Sequence, residues 1–210
     1  MSERIFLFGA SGHCKVVLDA ARRQGHVVEA VFDDNPALAG KELMGRPIIG
    51  GREALLQWSR QTGIVHGLVA IGQNGPREAV ARWLLESGMA LASVVHPHAV
   101  LADGILPGPG SVVMAGVVIN TDTAIGGNVI INTGATVDHD CVVDDLVHIG
   151  PGCHLCGGVR VGPGTLIGAG STVIPGLTIG RNVLIGAGST VIRDLPDGAR
   201  VAGSPARALP

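Results

Sequence analysis

Residues 143–173 read VDDLVHIGPGCHLCGGVRVGPGTLIGAGSTV, and their spacing decides the fold of the larger part of the chain. Val143, Ile149, Leu155, Val161, Ile167 and Val173 recur every six residues. Four places after each of the first five stand Val147, Cys153, Val159, Thr165 and Ser171, all small or aliphatic. Outward from this stretch the register holds from Val95 to Val191: of seventeen positions sixteen are aliphatic, and the exception is Pro107. The companion series runs from Ala99 to Leu195 and is small or aliphatic throughout. A period of six is not one face of an α-helix, and a flat strand would repeat at two. Each short strand therefore turns two side chains inward around one outward, and the glycine-rich residues between strands turn the chain. Such units stack as a triangular parallel β-helix with three hexads per coil, about 5.7 coils in all. Each buried aliphatic contributes about 1.5–3 kcal/mol against the cost of ordering the backbone.

Residues 1–92 follow a different rule. Ile5–Phe8 is a short apolar run, and Lys15–Gln24 carries a helical stripe of Val16, Leu18 and Ala21. Val27–Phe32 reads as a second strand closed by the turn Asp33-Asp34-Asn35-Pro36. A helix is expected over Arg52–Gln61, a strand over Gly67–Ile71, a helix over Pro76–Ser87 with Pro76 near its first turn, and a strand over Leu91–Val95. This alternation predicts a small parallel sheet with right-handed crossovers, a Rossmann-like domain. The expected organisation is an α/β domain over 1–92 and the β-helix over 93–210.

Composition supports this division. The 210 residues include 33 Gly and 12 Pro, about a fifth of the chain, yet 46% are hydrophobic and mean hydropathy is +0.41, which argues against disorder. The five aromatics are Phe6, Phe8, Phe32, Trp58 and Trp83, so the β-helix must be packed by Val, Ile, Leu and Ala. A net charge of −2 gives no field favouring nucleic acid or an anionic membrane. Only 15% of residues are charged, which points to extensive subunit contacts. No apolar run reaches the ~18 residues of a membrane span, the N-terminus does not read as a signal peptide, and the expected location is cytoplasmic. Four cysteines make no disulfide framework at this length. Cys153-His154-Leu155-Cys156 has the spacing of a metal knuckle, but there is no second pair and Cys153 and Cys141 fall on inward positions, so no metal is expected.

Some residues suggest chemistry. Gly9-Ala10-Ser11-Gly12, between a strand and a helix, is a shortened dinucleotide fingerprint with Cys14 where a further glycine would stand. Asp33 ends the second strand, where a Rossmann acid grips a ribose. His139 lies near a corner of the prism with Asp140 beside it, and an imidazole titrates close to neutral pH. His148, one residue before an inward position, projects from the middle of a face.

Together the hexads, Gly9–His13, Asp33-Asp34, Ala70–Asn74 and Ile131–Cys141 resemble the bacterial hexapeptide sugar O-/N-acetyltransferases, the sialic acid O-acetyltransferase group. Within it the perosamine-type N-acetyltransferases of nucleotide 4-amino-4,6-dideoxy sugars are most similar. The resemblance covers essentially the whole chain. It implies a left-handed winding and acetyl-CoA as co-substrate; a homotrimer with shared sites is expected because His139 and His148, half a coil apart, point in roughly opposite directions from one prism. It assigns His139 as general base, worth typically 10²–10⁴-fold, with Asp140 orienting its ring. His148, Gly157, Ala169, Thr178 and Arg207 are expected to border acetyl-CoA. Two of these positions depart from the family member compared, which has a bulkier residue at 169 and Ser at 178. Ser11, Gly12, His13, Asp33, Asp34, Gly72 and Asn132 are expected to bind a nucleotide-activated amino sugar. The implied activity is N-acetylation of a GDP-perosamine-like or UDP-linked amino sugar. The alternatives are O-acetylation of sialic acid, and a non-catalytic nucleotide-binding scaffold.

Overall fold

The structure, a computed structural model, describes residues 3–209. Its contacts divide the chain into two units, Met1–Pro97 and His98–Pro210.

In the first unit β1 (Arg4–Phe8), α1 (Gly12–Gln24), β2 (Val27–Phe32), a hairpin of β3 (Glu42–Leu43) and β4 (Arg46–Pro47), α2 (Arg52–Thr62), β5 (His66–Val69), α3 (Asn74–Glu86) and β6 (Ala90–Leu91) follow in order. Strands β2-β1-β5-β6 pair in parallel in that order. The connection from β1 runs to one side of the sheet and the later ones to the other, so a crevice opens at the carboxyl ends of β1, β2 and β5. All five aromatics serve this unit's core. Phe6, Phe32 and Trp58 meet edge to face with centroids 5.3–6.3 Å apart, and Phe8 packs on Trp83. Gly67 is required by this core, because a Cβ there would lie 2.2 Å from the Phe6 ring.

The expected elements form, with corrections. Helix α1 starts at Gly12, with Ser11 at its N-cap. Its buried stripe is Cys14, Val17, Leu18 and Ala21, the i, i+3, i+4, i+7 pattern, whereas Val16 is exposed. Helix α3 starts at Asn74, so Pro76 is its third residue. The strand expected over Leu91–Val95 is two: Ala90–Leu91 extends the sheet, and Val94–Val95 is a separate pair already in phase with the hexads. The β3–β4 hairpin lacked a strong apolar signal. Its turn places Met44 and Gly45 at φ 50° and 72°, the pattern of a type I′ turn.

The second unit is a left-handed parallel β-helix of about six turns. Two-residue strands stack in three ladders whose partners are eighteen residues apart. The first face holds strands at 112–113, 130–131, 148–149, 166–167 and 184–185, and is closed by 200–201. The second holds those from 100–101 to 190–191, and the third those from 124–125 to 178–179. From Ser111 onward the inward positions of the hexad register are buried, apart from half-buried Leu177. The inward hydroxyls satisfy themselves on the next coil: Ser111, Thr165 and Ser171 donate to the carbonyls of Gly126, Gly180 and Gly186 at 2.8–3.0 Å. Cys153 Sγ likewise donates to Gly168 O at 3.1 Å, and burial pushes its thiol pKa up.

One strand expected from the unbroken register is missing, although the eighteen-residue spacing continues on either side of it. No strand forms around Pro107, the one non-aliphatic residue of the series that runs from Val95 to Val191. Pro107 and Pro109 lack the N–H a ladder needs, and neighbouring Leu106 is 86% exposed. Among the described residues no helix is long and apolar enough to cross a membrane.

Candidate active site

The corner between the second and third faces is built by the turn that joins Thr136–Val137 to Val142–Val143. The turn needs a residue with positive φ, a place held by glycine in many coils but here by Asp140 at φ 58°. Aspartate tolerates that conformation better than most residues do. Holding it there aims its carboxylate back along the chain, where Oδ2 meets His139 Nδ1 at 2.7 Å. A carboxylate can only accept, so Nδ1 carries the hydrogen and Nε2 is left with the lone pair that can take a proton.

Two further residues hold this corner. Asp138 Oδ1 accepts from the backbone N–H of His139 at 2.9 Å and from Asn120 Nδ2, one coil away, at 2.8 Å. The Asn120 hydrogen bond, then the one from His139 N–H, hold the Asp138 carboxyl below its usual pKa. His139 moves the other way: the Asp140 hydrogen bond first, and the Asp138 charge second, push its pKa above the ordinary imidazole value. The imidazole is exposed, and one side of it lies against Gly157, the residue one coil further along. This corner thus offers an oriented, solvent-accessible base between two carboxylates.

The remaining β-helix residues fall elsewhere. His148 is half-buried in the middle of the first face, in a column with Ile130 and Leu166. In a triangular prism that face lies opposite the corner carrying His139. Ala169 and Asn132 sit at the corner between the first and second faces, and Asn132 Oδ1 accepts from Thr133 N–H at 2.9 Å. Thr178 is exposed on the third face, its N–H bound to Asp194 Oδ1 at 2.8 Å. Arg207 is exposed in the final hairpin. With Arg193, Asp194, Leu195, Pro196, Arg200 and Val201 it lines a hollow of about 500 Å³, three arginines and one aspartate among apolar residues. Within one chain, then, His139, Asp140 and Gly157 come together, while His148, Ala169, Asn132 and Arg207 do not join them.

In the first unit the crevice brings together Ser11, His13, Asp33 and Gly72, with Gly9, Ile71 and Gln73, around about 500 Å³. Asp33 anchors it: Oδ2 accepts from Ala10 N–H and Oδ1 from Asn35 N–H, both at 2.8 Å, so this carboxylate shapes the glycine-rich loop. Gly9, at φ 107°, is required, since a Cβ would lie 2.7 Å from Ile71. Gly12 opens helix α1 with no atom near its missing side chain, leaving the helix N-terminus accessible to an anion. Asp34 turns to an adjoining hollow, where its carboxylate accepts from Arg52 N–H and Nε at 3.2 and 3.1 Å. The Arg52 guanidinium stacks over Trp83, 5.0 Å from the ring centre.

Sequence reasoning missed Arg77. It is fully buried and donates to the carbonyls of Ile71 and Gly72 and to Asn74 Oδ1 at 2.9–3.3 Å, fixing the loop that forms one wall of the crevice. Burial lowers its pKa to about 10, so it stays charged at neutral pH. Asn120 and Asp138 were also missed, although their eighteen-residue separation marks them as coil neighbours.

Comparison with known proteins agrees with both halves. Residues 4–84 match the PglD N-terminal domain, and residues 140–175 and 158–193 match the bacterial transferase hexapeptide of six repeats. Perosamine N-acetyltransferase from Caulobacter crescentus, solved with CoA and GDP-perosamine as a variant with one histidine replaced by asparagine, is 41% identical with a TM-score of 0.93. The alignment covers 98% of this chain and 96% of that one. The acetyltransferase domain of PglB from Neisseria gonorrhoeae, in complex with acetyl coenzyme A, is 37% identical over 100% of both chains with a TM-score of 0.91. WeeI from Acinetobacter baumannii is 28% identical over 99% of this chain and 100% of that one, with a TM-score of 0.79. No curated protein sequence matches the chain.

Proposed function

The chain belongs to the hexapeptide-repeat sugar acetyltransferases with a PglD-type N-terminal domain, and from that premise we propose that it transfers the acetyl group of acetyl-CoA to the 4-amino group of a nucleotide-linked 4-amino-4,6-dideoxy sugar. The acceptor is of the GDP-perosamine or UDP-amino-sugar type. The observation that carries this reading is the His139–Asp140 pair, an oriented base at a β-helix corner, in a chain that also has a nucleotide-sized crevice at its Rossmann-like switch point. His139 Nε2 takes a proton from the amine as its nitrogen attacks the thioester carbonyl. The C–N bond forms, the C–S bond breaks, and CoA leaves as a thiolate that gains a proton. Asp140 stabilises the imidazolium formed. Ser11, Gly12, His13, Asp33, Asp34 and Gly72 recognise the nucleotide, and Asn132 contributes to the sugar site. The hollow around Arg207 suits the phosphates of CoA, which guanidinium groups bind by charge-assisted hydrogen bonds.

The working assembly is a homotrimer with shared sites. His139 at a corner and His148 on the opposite face of one prism cannot both approach one acetyl group, whereas prisms packed about a threefold axis bring a face of one to a corner of the next. Gly157 and Thr178 on one side, and His148 and Ala169 on the other, then border the same acetyl-CoA. Cytoplasmic polysaccharide or glycan synthesis is the setting in which both co-substrates meet.

A thiol-release screen of acetyl-CoA against GDP- and UDP-linked 4-amino sugars, the free amino sugars and sialic acid tests the activity. Turnover confined to nucleotide-linked amines is expected; transfer to free sialic acid would favour the O-acetyltransferase reading, and no turnover at all the scaffold reading. For the assembly, co-expressed His139→Ala and His148→Ala chains should regain part of the activity that each lacks alone. A monomer in sedimentation would contradict the shared site.

A further inference from the structure

Gly157 stands one coil from His139 in the same corner column, and the adjacent Gly158 N–H donates to His139 O at 2.9 Å. A Cβ on Gly157 would lie 2.6 Å from both Cε1 and Nε2 of His139 and 3.2 Å from Nδ1. The three atoms it would meet first all belong to the imidazole. Two ordinary reasons for a glycine do not apply. The left-handed turn position belongs to Gly158 at φ 72°, and Gly157 is not among the positive-φ residues. Nor does coil-on-coil packing demand it. At Gly150, Gly162 and Gly168, one place earlier in the hexad, an added Cβ would strike the backbone of the next coil at 2.5–2.7 Å, whereas at Gly157 the three nearest atoms are all ring atoms.

On the reading of His139 as general base, we propose that Gly157 is a positioning residue whose bare Cα forms a shelf for the His139 imidazole. The Nδ1–Oδ2 bond to Asp140 holds one ring atom but leaves the ring able to roll through small changes in its Cα–Cβ and Cβ–Cγ torsions. The shelf removes this roll and so fixes where Nε2 points. Carbon atoms in contact sit about 3.5–4.0 Å apart. An alanine methyl at 157 therefore drives the ring back by about 1 Å, and a misplacement of about that size can cost about 10²-fold in rate.

The test is a double-mutant cycle of Gly157→Ala with His139→Ala, reading kcat, both KM values, acetyl-CoA affinity by calorimetry and thermal unfolding. Gly157→Ala alone should fold and lose about 10²-fold in kcat, and any weakening of acetyl-CoA binding should be the same with and without the His139 ring. In the His139→Ala background the same change should cost less than about twofold further. The NMR titration of the His139 ring should move toward the ordinary imidazole value in Gly157→Ala, as the Asp140 bond is disturbed. Should Gly157→Ala misfold while the double variant folds, the clash with the ring is demonstrated directly. Unchanged kcat in Gly157→Ala overturns the proposal. So do additive rate losses in the two backgrounds, which would trace the loss to the contact of Gly157 with acetyl-CoA and not to the ring. Misfolding of both variants also overturns it. Full turnover by His139→Ala would show that the base reading itself had failed, an outcome the cycle separates from failure of the shelf alone.

Discussion

The two units fix functional side chains by different means. In the Rossmann-like unit the loops around the crevice are held by side-chain bonds to the backbone: Asp33 grips the Ala10 and Asn35 amides, and Arg77 caps the carbonyls of Ile71 and Gly72. An aromatic core stands behind them. In the β-helix there is no aromatic at all, and position is a matter of register. In the regular coils a residue has a neighbour eighteen places away, so the surroundings of His139 are set by Gly157 in the next coil and by the Asn120–Asp138 link from the preceding one. The first strategy makes a site depend on a few irreplaceable polar groups. The second makes it depend on the integrity of the stack.

The largest expected effect tests the stack. Ile149→Asp or Ile167→Asp puts a carboxylate without a partner into a dry aliphatic column, and should remove about 4 kcal/mol or more, most of a typical domain's stability. Arg160→Asp, at an exposed outward position, should change stability by about 0.5 kcal/mol or less. Equal denaturant midpoints for the inward and outward variants would contradict the register. Next in size is the base: His139→Ala should lower turnover by about 10²-fold or more with acetyl-CoA affinity unchanged, read by single-turnover kinetics and calorimetry. Near-wild-type turnover would remove His139 from the role.

In the other unit a comparable loss should appear in binding. Asp33→Ala frees two backbone N–H groups of the crevice loops, and KM for the nucleotide sugar should rise about tenfold or more while kcat stays close to wild type. A fall in kcat at constant KM would blur the division between the units. The smallest effect is one of pH. His139 must be neutral to accept a proton, and Asp140 raises its pKa, so the acid limb of kcat/KM is displaced upward from the ordinary imidazole value. Asp140→Asn should shift that limb to lower pH while also lowering the plateau. A limb that stays in place would show that another group controls it.

How far each region could be read from its sequence follows from the same contrast. A six-residue register links sequence position to spatial column, so the β-helix and its inward cysteines were legible in the sequence, whereas the strand missing at Pro107 was not anticipated. His139 and Asp140 are adjacent in sequence, and their contact could be anticipated. Gly157 could not, because a residue without a side chain gives no chemical sign that an imidazole rests on it. In the first unit the elements were visible but not their bonds. Val16 passed for core because an apolar residue one place off the stripe looks the same in sequence. Arg77 passed unnoticed because a buried guanidinium is recognised only through carbonyls that the fold brings to it.

The most direct test of the account is acetyl transfer from acetyl-CoA to a matched pair of acceptors, a nucleotide-linked 4-amino-4,6-dideoxy sugar and its 4-hydroxy counterpart, by wild-type and His139→Ala protein. The account predicts thiol release stoichiometric with N-acetyl product from the amine alone, and a rate about 10²-fold or more lower without His139. Equal transfer to the hydroxyl compound, or an undiminished rate in His139→Ala, would contradict it.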